Sequence, residues 1–190
     1  MQVFFASSTP RALDVQAFAS ENGVLDGVDA IALYPRLSAD LLKLDEASPD
    51  RDSIKVHWHA EGQLLHKSRA APQVWLHLGA QVTLPMTCQR CLKPVKLLVE
   101  AKRSFRFVGS EQEAEFEDDE AEEDLLVLTK RFDLHALVED ELLMAMPMVP
   151  MHNTCPEPQI FTAQDPDFEL QEAAASRPFA VLASLKGDKH

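Results

Sequence analysis

The sequence predicts an α+β domain: an antiparallel β meander packed against a few helices, with a disordered acidic loop. Three observations lead there. Within residues 54–108, apolar and polar side chains alternate with the period of half-buried strands. Residues 133–146, DLHALVEDELLMAM, repeat apolar residues at helical spacing, with Asp133 as N-cap and Pro147 as stop. Between these regions, residues 111–124, EQEAEFEDDEAEED, hold ten carboxylates and no base.

Residues 10–22, PRALDVQAFASEN, open with a proline suited to a first helical turn and show a modest apolar face of Leu13, Ala17 and Ala19. Residues 36–44, RLSADLLKL, are a second short helical candidate, with Leu37, Leu41, Leu42 and Leu44 clustered on one side. In SIKVHWHA, Ile54, Val56 and Trp58 alternate with Lys55, His57 and His59, a strand with a basic or titratable outer face. Glu61-Gly62 reads as a turn into a return strand, QLLHKSR. In QVWLHLGAQVTL, Val74, Leu76, Leu78, Ala80, Val82 and Leu84 form one face, and Gln73, Trp75, His77, Gln81 and Thr83 the other. Residues 95–108 turn Val99, Ala101, Phe105 and Phe107 one way and Glu100, Lys102, Ser104 and Arg106 the other. Four sequential strands with short connections make a meander. LLVLTK is a further short strand candidate. Glu139, Asp140 and Glu141 are consecutive, so they fan around their helix and read as a solvated face. Residues 147–170 read as loop, and PFAVLASLK (178–186) as a docked terminal helix.

The formal net charge of −13 argues against nucleic acid, but its distribution argues the other way. Residues 51–106 hold ten Lys/Arg against three Asp/Glu, beside the acidic run. Fields act locally at ionic screening lengths of roughly 8–10 Å, so the basic block outweighs the total. The acidic run has one aromatic, Phe116, and too little apolar area to offset its ordering entropy. It reads either as a solvated spacer or as a mimic of a phosphate backbone that competes for the basic block.

The sharpest local motif is TCQRCLKP, residues 87–94. Cys88 and Cys91 have the spacing that lets two thiolates reach one tetrahedral metal, and His152 with Cys155 is the plausible second pair. A redox dithiol and simple packing of small side chains are the other readings, and the spacing alone favours packing. Arg90, Lys93 and Lys96 place three cations within seven residues, suited to phosphate contacts. Lys55, Lys67, Arg69, Lys102, Arg103 and Arg106 extend that surface. Strand alternation separates Arg103 from Lys102 and Arg106. Trp75 and His77 suit base stacking as in sheet-based RNA readers, though a lone Trp covering a helix is the preferred reading. Seven scattered histidines suggest no triad, and nucleophile-elbow, P-loop and dinucleotide motifs are missing, which disfavours an enzyme.

The composition is globular, and no apolar run approaches the roughly 18 residues of a membrane span. The opening MQVFFASSTPRAL has no basic stretch ahead of an apolar core, so no secretory signal is expected. Three cysteines do not make a disulfide framework. The chain therefore reads as soluble, cytoplasmic and reduced.

Cys88-Gln-Arg-Cys91-Leu-Lys-Pro94 resembles the defining motif of the YceD family, the bacterial large ribosomal RNA subunit accumulation proteins. DLHALVEDELLMAMPMVPMH (133–152) is similar to the family's second block through Leu137, Glu139, Asp140, Glu141, Leu142, Pro147, Pro150 and His152. Pro178-Phe179 through Leu185-Lys186 resembles its C-terminus, and the N-terminal third matches more loosely through Asp14 and Tyr34-Pro-Arg-Leu37. The resemblance implies a role in the synthesis, processing or stability of 23S rRNA. Many family members carry further cysteines after the helix, resembling a zinc ribbon; this chain keeps only Cys155, beside His152.

The expectation is one domain: an N-terminal helical segment (1–50), a basic β region with the C-x-x-C turn (51–108), an acidic mobile loop (109–124), and a C-terminal helix and tail (125–190). Its expected function is that of a non-catalytic factor for large-subunit biogenesis. The expected RNA contacts are Arg90, Lys93, Lys96, Lys102, Arg103 and Arg106, and the partner is large-subunit rRNA or a pre-ribosomal particle. The alternative is an adaptor that binds a ribosomal protein or rRNA-processing enzyme through the acidic loop and helix. Neither a membrane nor a small-molecule substrate is expected, and the one cofactor considered is zinc.

Overall fold

Strand alternation shapes the sheet of the computed structural model, which describes residues 3–5, 8–39, 53–66 and 71–157. Six strands lie side by side in chain order: β1 (Val3–Phe5), β2 (Val24–Ala30), β3 (Lys55–Leu65), β4 (Gln73–Thr87), β5 (Pro94–Val108) and β6 (Asp124–Val127). β2 through β5 are antiparallel, while β1 runs parallel to β2 and β6 parallel to β5. The apolar face foreseen for β4 and β5 is the buried one, with Val74, Leu76, Leu78, Val82 and Leu84 facing the same core as Val99, Ala101, Phe105 and Phe107. Helix α1 (Val15–Ser20) packs on β3 and β4, and helix α4 (Leu134–Ala145) on β4 and β5. Val15, Ala19, Leu134, Val138 and Leu142 close the core from that side. On the opposite face of β3–β5, the helix at residues 111–117 reaches only the Arg106 end of β5, through Glu117. The fold is thus two-layered α+β.

The N-terminal segment expected to be helical also supplies two strands. Helix α1, capped by Asp14 rather than opened by Pro10, is shorter than the apolar pattern suggested, and α2 is described over Pro35–Ala39. The remainder of the 36–44 candidate, and the 178–186 candidate, lie outside the described residues.

Glu61-Gly62 is not a turn, because β3 runs unbroken through it. Gly62 is a close-approach residue instead. A Cβ there would lie 2.6 Å from Phe18 Cδ1 and 2.9 Å from Ala19 Cα, so α1 reaches β3 only over a bare backbone. The Gly62 N–H also donates to the Gly23 carbonyl at 2.9 Å.

The acidic run, expected as a mobile loop, contains helix α3 (Glu111–Glu117) and ends in β6. Ser110 caps α3 by accepting the Glu113 N–H, and Glu111 and Glu113 lie in its first turn, where carboxylates suit the helix dipole. The Glu139–Glu141 triplet does fan around α4, but only Asp140 faces solvent. Glu139 is buried because it caps α2, accepting the Arg36 and Leu37 N–H groups at 2.8 and 3.1 Å, and pairs with the Arg36 guanidinium. Glu141 is buried against Arg103 at 3.3 Å.

A polar cluster ties the N-terminal segment to α4. Buried Asp29 of β2 accepts the Thr9 hydroxyl and the Tyr34 hydroxyl, the latter at 2.8 Å. The Tyr34 ring stacks on His135 of α4 with centroids 4.3 Å apart and planes 5° from parallel. Burial, then the Arg11 charge, holds His135 below its ordinary pKa, against smaller opposing effects of Asp133, Asp29 and Glu139.

Two outcomes follow. Gly62→Ala should destabilise the fold by about 1–3 kcal/mol, because Ala19 backbone must move; an unchanged urea midpoint would contradict the packing of α1 on β3. Because His135 titrates lower in the folded than in the unfolded chain, its contribution is full above about pH 6.5 and declines as pH falls below it. His135→Phe, which can keep the Tyr34 stack, should flatten the loss of stability between pH 7.5 and 5.5; an unaltered pH slope in parallel denaturant titrations would refute that assignment.

Candidate functional site

β4 and β5 pair over fourteen residues, from Val74↔Phe107 to Thr87↔Pro94, whereas β3 leaves β4 at Val56↔Val82. The remaining segments, 83–87 and 94–98, project as a two-stranded arm. Pro85 sits in this arm, where β4 has no β3 neighbour to require its missing N–H. The C-x-x-C motif forms the arm's tip. Leu92 adopts a left-handed backbone, φ 58°, its N–H donates to the Cys88 carbonyl at 2.8 Å, and the Cys88 N–H donates to the Lys93 carbonyl at 2.9 Å.

Pro147 ends α4, and the chain returns to the arm, where the Gln89 N–H donates to the Pro150 carbonyl at 2.8 Å. The four residues paired from sequence are brought together there: one ligating atom each from Cys88, Cys91, His152 and Cys155 lies within 4.8 Å of every other. Cys88 and Cys91 are buried; His152 and Cys155 are half-buried. His152 Nδ1 lies 3.4 Å from Cys91 Sγ, its Nε2 3.1 Å from the Pro94 carbonyl oxygen, and its backbone N–H 3.4 Å from Cys88 Sγ. Burial works to raise the Cys88 thiol, but backbone N–H groups of His152, Cys91 and Arg90 together bring it down to about 5. Burial, then contacts with Cys91 and Cys88, pushes the Cys155 thiol up. The setting is strand–turn–strand, not the strand-to-helix junction of a redox dithiol.

The six expected RNA-contact residues divide. Arg90 is exposed on the turn, with its guanidinium 3.8 Å from Met151 sulfur, and Lys93 beside it is half-buried. Lys96 and Lys102 are exposed on the open sheet face. Arg103 points to the other face, as alternation requires, and pairs with Asp124 and Glu141, each at 3.3 Å. Arg106 is on the open face but buried, held by Glu117 at 2.6 Å and by Glu123. The acidic segment therefore anchors itself on one cation of the basic block. Lys67 and Arg69 lie outside the described residues.

Trp75 lies half-buried on the open face, opposite Arg106 in register, with its ring stacked on His77 at 6.1 Å and 16°. His77 is fixed by Ser104 at 2.8 Å and Gln63 at 3.2 Å. Near the arm the same face holds a shallow depression lined by Lys55, His57, Gln81, Thr83, Lys96 and Leu98. Sequence reasoning missed the pairing of Arg106 with Glu117 and Glu123; the one signal was an arginine flanked by Phe105 and Phe107 beside an acidic run.

Arg106 keeps only 9% of its side chain exposed, so removal of its partners leaves a charge with little water. Glu117→Gln with Glu123→Gln should cost about 1–3 kcal/mol, whereas Glu115→Gln with Glu120→Gln should stay within about 0.5 kcal/mol. Equal denaturation midpoints for the two double variants would contradict the anchoring role of Arg106.

Residues 76–186 match the family model described as Large ribosomal RNA subunit accumulation protein YceD. A protein of Haemophilus influenzae with that same name is 36% identical over 109 residues, 56% of this chain and 62% of the relative. The chain thus covers less than two thirds of that curated relative's length. No solved structure matches it. No helix among the described residues is long and apolar enough to cross a membrane. The matched region holds the C-x-x-C arm, the open basic face of β5, the acidic segment and α4, so the chain belongs to the YceD family of large ribosomal RNA subunit accumulation proteins.

Proposed function

We propose that this chain acts in the cytoplasm as a non-catalytic factor in 23S rRNA synthesis, processing or stability, and that it contacts large-subunit rRNA or a pre-ribosomal particle directly. The observation that carries this reading is the open sheet face: a depression with Lys55, His57 and Lys96, continuous with exposed Lys102 and the Trp75–His77 stack. Lysines spaced along a groove suit a phosphate backbone, and a half-exposed aromatic pair suits unstacked bases. Arg90 and Lys93 extend the cationic surface round the turn. Arg103 and Arg106 are left out of this contact set, because carboxylates already engage both.

One feature favours a second reading. Phe116 of α3 is 87% exposed among carboxylates, the chemistry of a contact for a basic ribosomal protein or processing enzyme.

Charge reversal at Arg90, Lys96 and Lys102 together should weaken binding to a large-subunit rRNA fragment by more than about tenfold at low salt and flatten the logarithmic salt dependence by about 0.7 per lost single-strand contact. Arg103→Glu should leave that salt slope nearly unchanged. Unaltered affinity and slope in the triple variant would move the adaptor reading ahead.

A further inference from the structure

All three cysteines of the chain, separated by up to 67 positions in sequence, meet at one point together with one of its seven histidines. Packing of small side chains explains a cluster of thiols, but it does not explain the histidine. The His152 ring turns Nδ1 toward the sulfurs and gives Nε2 the Pro94 carbonyl as partner. A carbonyl accepts, so Nε2 carries the proton and Nδ1 presents its lone pair to the cluster. That is the outer-shell arrangement that orients a metal-ligating histidine.

The spacing fits a particular geometry. A tetrahedral ion with arms of about 2.3 Å to sulfur and about 2.0–2.1 Å to nitrogen has edges of about 3.5–3.8 Å. The observed 3.4 Å from His152 Nδ1 to Cys91 Sγ lies just below the sulfur–nitrogen edge, and all four ligating atoms lie within 4.8 Å of one another, so loading needs only a small inward shift. The turn also aims backbone N–H groups at Cys88 Sγ, from His152 at 3.4 Å and from the C-x-x-C loop itself.

We propose that Cys88, Cys91, His152 and Cys155 form a closed, tetrahedral Cys3His zinc site that clamps the segment after α4 onto the tip of the β4–β5 arm. Loading releases to solvent the protons still held by the three thiols, and the histidine stays neutral. Three thiolates with Zn2+ carry one net negative charge, which the neighbouring Arg90 and Lys93 offset. Four protein ligands leave no position for water, so the site is structural rather than hydrolytic. Soft thiolates and tetrahedral closure select zinc over calcium or magnesium, which take hard oxygen donors. This inference is independent of the RNA reading, since its measurements concern the metal alone.

The test uses the full chain, reconstituted with one equivalent of Zn2+ under anaerobic, reducing conditions and then desalted. About one zinc per chain should remain, and X-ray absorption should give three sulfurs at about 2.3 Å and one nitrogen at about 2.0–2.1 Å. Co2+ in place of zinc should give the visible bands of a tetrahedral thiolate complex. Cys155→Ser and His152→Ala should each lower zinc affinity by at least about tenfold. No zinc retained by the unmutated chain, or a shell with fewer than three sulfurs, would overturn the site and leave Cys88 and Cys91 as packing residues.

Discussion

The fourteen-residue register between β4 and β5 organises the rest of the molecule. Because side chains alternate with a period of two, this one register decides which residues enter the core and which remain on the open face. A slip of one position would bury Lys96, Lys102 and Gln81 and expose Val82, Leu84 and Val99. The core of β4 and β5 against α1 and α4 forbids that slip. The same register carries the strands past the last β3 pair into a two-stranded arm with the C-x-x-C turn at its tip.

Electrostatics then divides the open face into two ends. Toward the arm, Lys55, Lys96 and Lys102 are exposed on the open face. At the other end, Arg106 beside Trp75 is taken up by Glu117 and Glu123, and a run of like charges gains enough local order to form α3. Ten carboxylates repel one another, but a buried guanidinium that bonds two of them offsets part of that repulsion locally. Through Glu117 and Glu123 the acidic segment occupies one cation of the basic block.

Elements held by periodicity or by a local cap were legible in the sequence. The faces of β4 and β5, the Asp133 cap of α4 and its stop at Pro147 all depend on neighbours in the chain. β2 was missed because Asp26, Gly27 and Asp29 interrupt its apolar pattern, and Asp29 is buried only because Thr9 and Tyr34 meet it from elsewhere. Gly62 reads as a turn until α1 is laid over it. Glu139 and Glu141 read as solvated until Arg36 and Arg103 arrive from segments about a hundred and about forty residues away. Side-chain chemistry converging from distant segments leaves no local mark. The meeting of Cys88 and Cys91 with His152 and Cys155 was foreseeable only because cysteines are so few.

The open face of β3–β5 and the arm are the proposed surface for large-subunit rRNA. Crosslinking in living cells, with RNA and protein adducts both mapped to residue positions, tests this most directly. RNA adducts should fall on Trp75, Lys96, Lys102 and the Arg90 turn, and carry large-subunit rRNA sequence. Protein adducts concentrated on Phe116 and α3, with the open face free of RNA, would contradict it.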